Sequence, residues 1–190
     1  MKKLATLFSD SYAELKQVKT ITTMAMFAAI SVILGYFTIA IGDYIKIGFS
    51  TIANQFVYYL FGPVSGAFFG GALDILKYLV KPTGAYFPGF TLNAILAGGI
   101  YGILLYKKPV TFKRILLAEF LVALICNVIL GTFWLKILYG KSFMVLLPIR
   151  AFKNLLMWPI NAMLFYSIVK AMETAGITKM IRGRKLSPGK

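Results

Sequence analysis

Two stretches of this chain place polar and charged groups inside otherwise apolar segments. In "LPIRAFKNLLMWPINA" (147–162) they are Arg150, Lys153, Asn154 and Asn161. On a helix advancing about 100° per residue, with Arg150 at zero, Lys153 falls at about −60° and Asn154 at about +40°. Met157 and Asn161 fall at about −20° and +20°, so all five share one stripe roughly 100° wide. The second stretch is "GALDILKYLV", in which Asp74, Lys77 and Tyr78 stand at i, i+3 and i+4 on one face. A charge at the centre of a spanning helix costs at least a few kcal/mol, so such residues face protein or water. Asp74 and Lys77 are able to neutralise each other. Arg150 and Lys153 have fewer partners, because the spans hold only two carboxylates, Asp74 and Glu119. The stripe reads as a binding surface for an anionic, hydrogen-bonding ligand. The alternative for Arg150 and Lys153 is snorkelling to a nearby membrane surface, which still sets them at the mouth of an outward-facing cavity.

Catalysis has little to work with. The chain has no histidine, which removes His-ligated metals, the Ser-His-Asp triad and Cys-His pairs. No metal site or cofactor is expected. The one cysteine, Cys126, lies in an apolar run and reads as a small buried hydrophobe. No GxxxxGK[ST] loop and no pair of carboxylates at catalytic spacing occurs. The expectation is a binding protein, not an enzyme. Aromatic residues near the outer ends of the spans are suited to stacking a flat ring, among them Tyr44, Phe49, Tyr86, Phe87, Trp134, Tyr139 and Trp158. Each of them is equally explained by an interfacial aromatic belt.

These residues must be positioned by membrane helices. Of 190 residues 59% are hydrophobic and 14% charged, against roughly 45–50% and about 25% in soluble domains. A span needs about 20 mainly apolar residues. The pattern predicts an all-α bundle of six spans, at residues 21–41, 52–61, 63–80, 90–106, 115–139 and 144–171, forming one domain over 1–190. The short second span ends at Gly62-Pro63, a turn signal. The N-terminal segment reads as an interfacial amphipathic helix, or as disorder; its run "LATLF" is too short for a signal-peptide core. The basic tail is expected to fray.

The net charge of +15 reflects topology in this reading, not nucleic-acid binding, because no basic stripe on a soluble fold is there to carry it. With Lys170 and Lys136 counted with the membrane surfaces that their span ends adjoin, fourteen of the 21 Lys and Arg fall on the side that would hold both termini, four on the other side and three deeper within spans. The positive-inside rule then predicts cytoplasmic termini. Small residues recur every fourth position at Gly62, Gly66 and Gly70, at Ala94, Gly98 and Gly102, and at Ala25 and Ala29. In lipid such faces let backbones approach, either within the bundle or against another protein.

With its six spans, Ala25-x-x-x-Ala29, "IKIGFSTIANQ", "FGPVSGAFFGGALDILKYLV", "PTGAYFPGFTLNAILAGGIYG" and "RAFKNLLMWPINA", the chain resembles the substrate-binding S components of energy-coupling factor (ECF) transporters, most closely the folate-specific members. It departs at Ala53, where the family's loop motif often has proline. The resemblance implies a multi-pass subunit of the cell membrane that captures a vitamin from outside and closes its first loop over it. It also implies docking, through the Ala25 and Ala29 face, on a transmembrane coupling subunit driven by two cytosolic ATPases. Folate has two carboxylates at one end, matching Arg150 and Lys153 with help from Lys46, Lys77 and Lys81. Its pteridine edge donates two hydrogen bonds, matching Asp74, with Asn154 or Asn93 completing the ring and Tyr86, Phe87 and Trp134 at hand to stack. The roles of the two ends are interchangeable at this level. Another vitamin or a nucleobase-like compound is the alternative substrate, and a stand-alone channel or carrier the alternative class.

Overall fold

Among the described residues, Gly62 is the one inside a long helix that abandons helical geometry, at φ 86° and ψ −168°, a region that favours glycine. Pro63 follows and has no N–H to continue the ladder. The computed structural model describes residues 2–41, 45–48, 50–82, 85–140 and 143–176. Its elements are α1 (Lys2–Leu15), α2 (Val18–Tyr36), strands β1 (Thr38–Ile41) and β2 (Ile45–Gly48), α3 (Ser50–Val80), α4 (Pro88–Leu105), α5 (Phe112–Val122), a π-helical segment (Ala123–Leu130), α6 (Gly131–Tyr139) and α7 (Phe143–Thr174). Five helical segments among the described residues are long and apolar enough to cross a membrane, with α5, the π segment and α6 forming one of them.

Helix α3 is two crossings, not one. Ser50 and Lys81 line the same cavity, whereas a straight helix would hold them roughly 45 Å apart. Tyr58 packs edge-on against Phe69, with ring centroids 6.2 Å apart. The break at Gly62 therefore folds arm 50–61 back against arm 63–80, and six crossing segments result, as the sequence predicts. Arm 50–61 forms the centre of the bundle. Phe56, Val57, Leu60 and Phe61 are almost wholly buried, and Phe56 stacks on Phe27 of α2 and meets Phe165 of α7 edge-on.

The second arm meets α4 backbone to backbone. A Cβ on Gly66 would lie 2.9 Å from Gly98 O, and Cβ atoms on Gly70, Gly98 and Gly102 would be driven into the backbones of Ala94, Gly66 and Pro63. The two glycine-rich rows thus serve packing within the bundle. Helix α1 is stitched under the turn. Ser11 Oγ accepts from the N–H groups of Val64 (3.0 Å) and Ser65 (3.1 Å) and donates to Phe61 O at 2.7 Å. The N-terminal segment is thus an ordered helix.

Two regions differ in detail from the expectation. The first span stops at Tyr36, and residues 38–41 turn into a strand antiparallel to 45–48, with Thr38 opposite Gly48 and Ala40 opposite Lys46. Residues 42–44 and 49, which include Tyr44 and Phe49, and the tail from 177 on lie outside the described residues. Of the two carboxylates within the spans, Glu119 is enclosed: it accepts from Gln55 Nε2 at 2.5 Å and from Tyr101 OH at 2.8 Å, all three residues being buried. Asp74 is the carboxylate left for a site.

Candidate functional site

The site is organised by the π-helical segment. Its wider turns take backbone carbonyls off the regular ladder, and side chains of neighbouring helices reach two of them. Asn93 of α4 donates from Nδ2 to Cys126 O at 2.9 Å. Arg150 of α7 donates from Nε and Nη2 to Asn127 O at 3.2 and 2.9 Å. Gly131 makes room for this clasp, since a Cβ there would lie 2.7 Å from Arg150 Nη2. Asn93 is held from its other side by Trp134, whose Nε1 donates to Asn93 Oδ1 at 3.1 Å.

These residues enclose a cavity of about 280 Å³, lined by Asp74, Phe90, Asn93, Asn127, Gly131 and Arg150, with Ala94, Ala97 and Cys126 completing the wall. Asp74 is oriented by a relay. Thr91 Oγ1 donates to Asp74 Oδ2 at 2.7 Å and lies 3.0 Å from Tyr86 OH. A hydroxyl has a single hydrogen to give, so Tyr86 donates to Thr91 and Thr91 to Asp74. No donor among the described residues takes the second Asp74 oxygen. Arg150 has five N–H groups and commits two of them to Asn127 O. A carboxylate and a guanidinium thus line one cavity without forming an ion pair with each other among the described residues. Such a cavity suits a flat ligand that presents a donor edge to Asp74 and an acceptor to Arg150, with Phe90 in the wall.

Of the residues singled out in the sequence, Asp74, Asn93 and Arg150 come together directly, and Tyr86 joins through Thr91. Phe87 and Trp134 form an aromatic bank beside Phe90, with centroids 5.6 Å apart for Phe87–Trp134 and 6.0 Å for Phe87–Phe90. Both rings lie against Gly89, where a Cβ would strike each of them. Lys153 is half-buried on α7 and does not line this cavity. Asn154 is also off the wall: its Nδ2 donates back to Arg150 O, one turn earlier, at 2.8 Å. Lys77 does not pair with Asp74. It lines a second cavity of about 230 Å³, with Tyr36, Ser50 and Lys81. Lys46 pairs through its backbone in the hairpin, and its side chain lies outside the described residues. Trp158 donates to Leu116 O at 2.7 Å and packs on Phe120, apart from the cavity. Ala25 and Ala29 are exposed on α2.

Sequence reasoning missed Thr91, Phe90, Asn127 and Gly131. Asn127 carried a signal, an amide in the apolar run "ALICNVIL". The π turn that makes its carbonyl available leaves no mark in residue types.

Residues 19–169 match the family model for the substrate-specific component of ECF transporters. The folate transporter FolT of Clostridium novyi (strain NT) is 34% identical over 167 residues, covering 88% of this chain and 97% of that protein. FolT of Leuconostoc mesenteroides is 27% identical over 164 residues, covering 83% and 88%. A crystal structure of FolT bound with folic acid superposes with a TM-score of 0.72 at 34% identity, over 80% of this chain and 93% of that one. The chain belongs to the substrate-specific components of ECF transporters and is a multi-pass protein of the cell membrane.

Proposed function

We propose that this chain captures folate at the outer face of the membrane and passes it to an ATP-driven partner module. The observation that carries the substrate is the pairing of Asp74 and Arg150 on one cavity wall, each with hydrogen-bonding capacity left over. The pteridine of folate has an amidine-like edge that donates two hydrogen bonds and a carbonyl that accepts. Asp74 takes the donating edge, Arg150 and Asn93 face the acceptors, and Phe90 with the Phe87–Trp134 bank flanks the ring. The relatives named as folate transporters support the same substrate.

The whole chain acts as one six-span domain with both termini in the cytoplasm, which follows from the distribution of Lys and Arg. The hairpin of β1 and β2 then lies on the outside and closes over the ligand. Ala25 and Ala29, exposed on α2, dock on a transmembrane coupling subunit that works with two cytosolic ATPases, as membership of the family implies. Lys153, about one turn beyond Arg150 on α7, adds positive potential to the same stretch of the helix.

The test is titration of folic acid against the purified protein and two variants. Leaving a buried polar group without its partner costs about 1–3 kcal/mol, more when the group is charged. Asp74→Ala and Arg150→Ala are each expected to weaken folic acid binding by roughly tenfold or more. A wild-type protein that ignores folic acid would overturn the substrate, and variants that bind as tightly as wild type would overturn the site.

A further inference from the structure

Helix α1 presents three different faces. Ser11 points into the turn at Gly62, where it takes the N–H groups of Val64 and Ser65. With Ser11 at zero and about 100° per residue, Asp10 falls at about −100°, and it pairs with Lys107 beyond the end of α4. On the other flank Leu4, Phe8 and Tyr12 fall at about +20°, +60° and +100°. These three apolar side chains form a strip four residues apart, each 42–53% exposed. Ser9 and Ala13, at about +160° and −160°, are exposed on the face opposite the bundle.

The connection to α2 sets the height of this helix. Only Lys16 and Gln17 separate α1 from a membrane-spanning segment, and Ser11 fastens it to the turn that joins the two arms of α3. Helix α1 therefore crosses the end of the bundle at the level of the membrane surface. Its apolar flank is inclined toward the bilayer beside the bundle, and Ser9 and Ala13 toward water. Cations edge the strip. Lys16 and Lys19 are exposed at the turn into α2, and Lys16 Nζ lies 4.6 Å from the centroid of the Tyr12 ring, a cation–π arrangement that leaves the ammonium at the strip's border. Both acids of α1 are engaged, Asp10 by Lys107 and Glu14 by Thr20 Oγ1 at 3.3 Å. An apolar strip bordered by lysines matches the boundary between acyl chains and anionic headgroups.

We propose that α1 lies in the bilayer surface on the side of the termini, with Leu4, Phe8 and Tyr12 against the acyl chains and Lys16 and Lys19 on the phosphates of anionic phospholipids. The inference holds whatever the substrate. It gives α1 a role besides closing the turn at Gly62: the helix fixes the level at which this end of the bundle sits in the membrane, and the lysines make that hold depend on lipid charge.

Two measurements on the whole chain in lipid nanodiscs test it. In the first, a nitroxide is attached at Tyr12→Cys or at Ser9→Cys, each with Cys126→Ala. The Tyr12 label should collide mainly with oxygen, which concentrates in lipid, and the Ser9 label mainly with a water-soluble nickel chelate. A Tyr12 label as open to the chelate as the Ser9 label would overturn the placement. A Tyr12 label shielded only once a coupling subunit is added would assign the strip to a protein and overturn the lipid contact. In the second, the melting temperature is compared in discs of phosphatidylcholine alone and of phosphatidylcholine with phosphatidylglycerol, for wild type and for Lys16→Gln/Lys19→Gln. Phosphatidylglycerol should raise the wild-type value, and the gain should fall by about half or more in the double variant and shrink with added salt. The gain is read within each protein, so a change in the variant's intrinsic stability cancels. No gain in wild type, or equal gains in the two proteins, would overturn the anionic contact.

Discussion

Helices α4 and α2 both carry small residues four apart, and the two rows meet different fates. On α4, Ala94, Gly98 and Gly102 lie against Gly70, Gly66 and Pro63, so closely that no Cβ fits at the glycines. On α2, Ala25 and Ala29 are exposed, among Ile21, Met26 and Ile33, which are exposed as well. The same helix packs inward mainly with larger side chains, Met24, Phe27 and Val32. Apolar side chains gain little by leaving lipid for protein, so a small residue brings helices together only when the opposing surface is small too. Arm 63–80 of α3 offers such a surface to α4. Within this chain nothing among the described residues offers one to Ala25 and Ala29, which suits a partner's helix.

The largest expected effect tests the inner row. Gly98→Leu would push a side chain into the backbone of Gly66, a contact that no rotamer change relieves. Overpacking usually costs about 1–3 kcal/mol and more where the surroundings cannot yield. The variant should fail to give a monodisperse protein in detergent, or unfold at a much lower temperature. Ala29→Leu, on the outer row, should stay within about 0.5 kcal/mol of wild type. If Ala29→Leu unfolds the protein and Gly98→Leu does not, the assignment of inner and outer faces is wrong.

The outer row is tested by transport. Ala25→Trp should lower folate uptake by cells at least tenfold when the energising module is present, while the isolated protein still binds folic acid with unchanged affinity. Binding lost together with uptake would mean that the α2 face supports the fold of the pocket and is not a docking surface.

How far these features could be read from residue types depends on what each rests on. The six crossings were legible because Gly62-Pro63 interrupts an apolar run and only glycine accepts the φ of 86° found there. Asp74 and Arg150 were legible because a charge in lipid demands a reason. Asn154 misled, since a helical wheel gives direction and not partner, and its amide found the Arg150 carbonyl one turn back. The pairing of Lys77 with Asp74 was plausible at i, i+3, but Thr91, from another helix, holds the carboxylate. Strand 38–41 reads in the sequence as the end of the first span, and strand 45–48 as loop, because their alternation is short and lies against an apolar run. The π segment is almost uniformly apolar apart from Asn127, and the partners of its carbonyls, Asn93 and Arg150, come from other helices far away in the sequence.

The smallest expected effect concerns the turn that lets the inner row exist. Arm 63–80 reaches α4 only because the chain reverses at Gly62, and Ser11 closes that reversal. Its hydroxyl, itself fully buried, takes two N–H groups at the start of the second arm and gives its hydrogen to Phe61 O, all at 2.7–3.1 Å. Ser65 Oγ returns a bond to Ser11 O at 2.8 Å. Among the other polar ties of α1 to the bundle, Thr20 Oγ1 donates to Glu14 at 3.3 Å and Lys107 pairs with Asp10 at 2.7 Å, with both side chains of the pair more than two-fifths exposed, and exposed ion pairs typically contribute about 0–1 kcal/mol. Stranding buried backbone donors costs about 1–3 kcal/mol, so the hydroxyl should outweigh the ion pair. Ser11→Ala is therefore expected to lower stability by roughly 2 kcal/mol, and Asp10→Ala by less, in chemical or thermal unfolding of the detergent-solubilised protein. Ser9→Ala, on the exposed side of α1, should change nothing measurable. If Asp10→Ala proves more damaging than Ser11→Ala, α1 is held by charge and the turn at Gly62 stands without the hydroxyl.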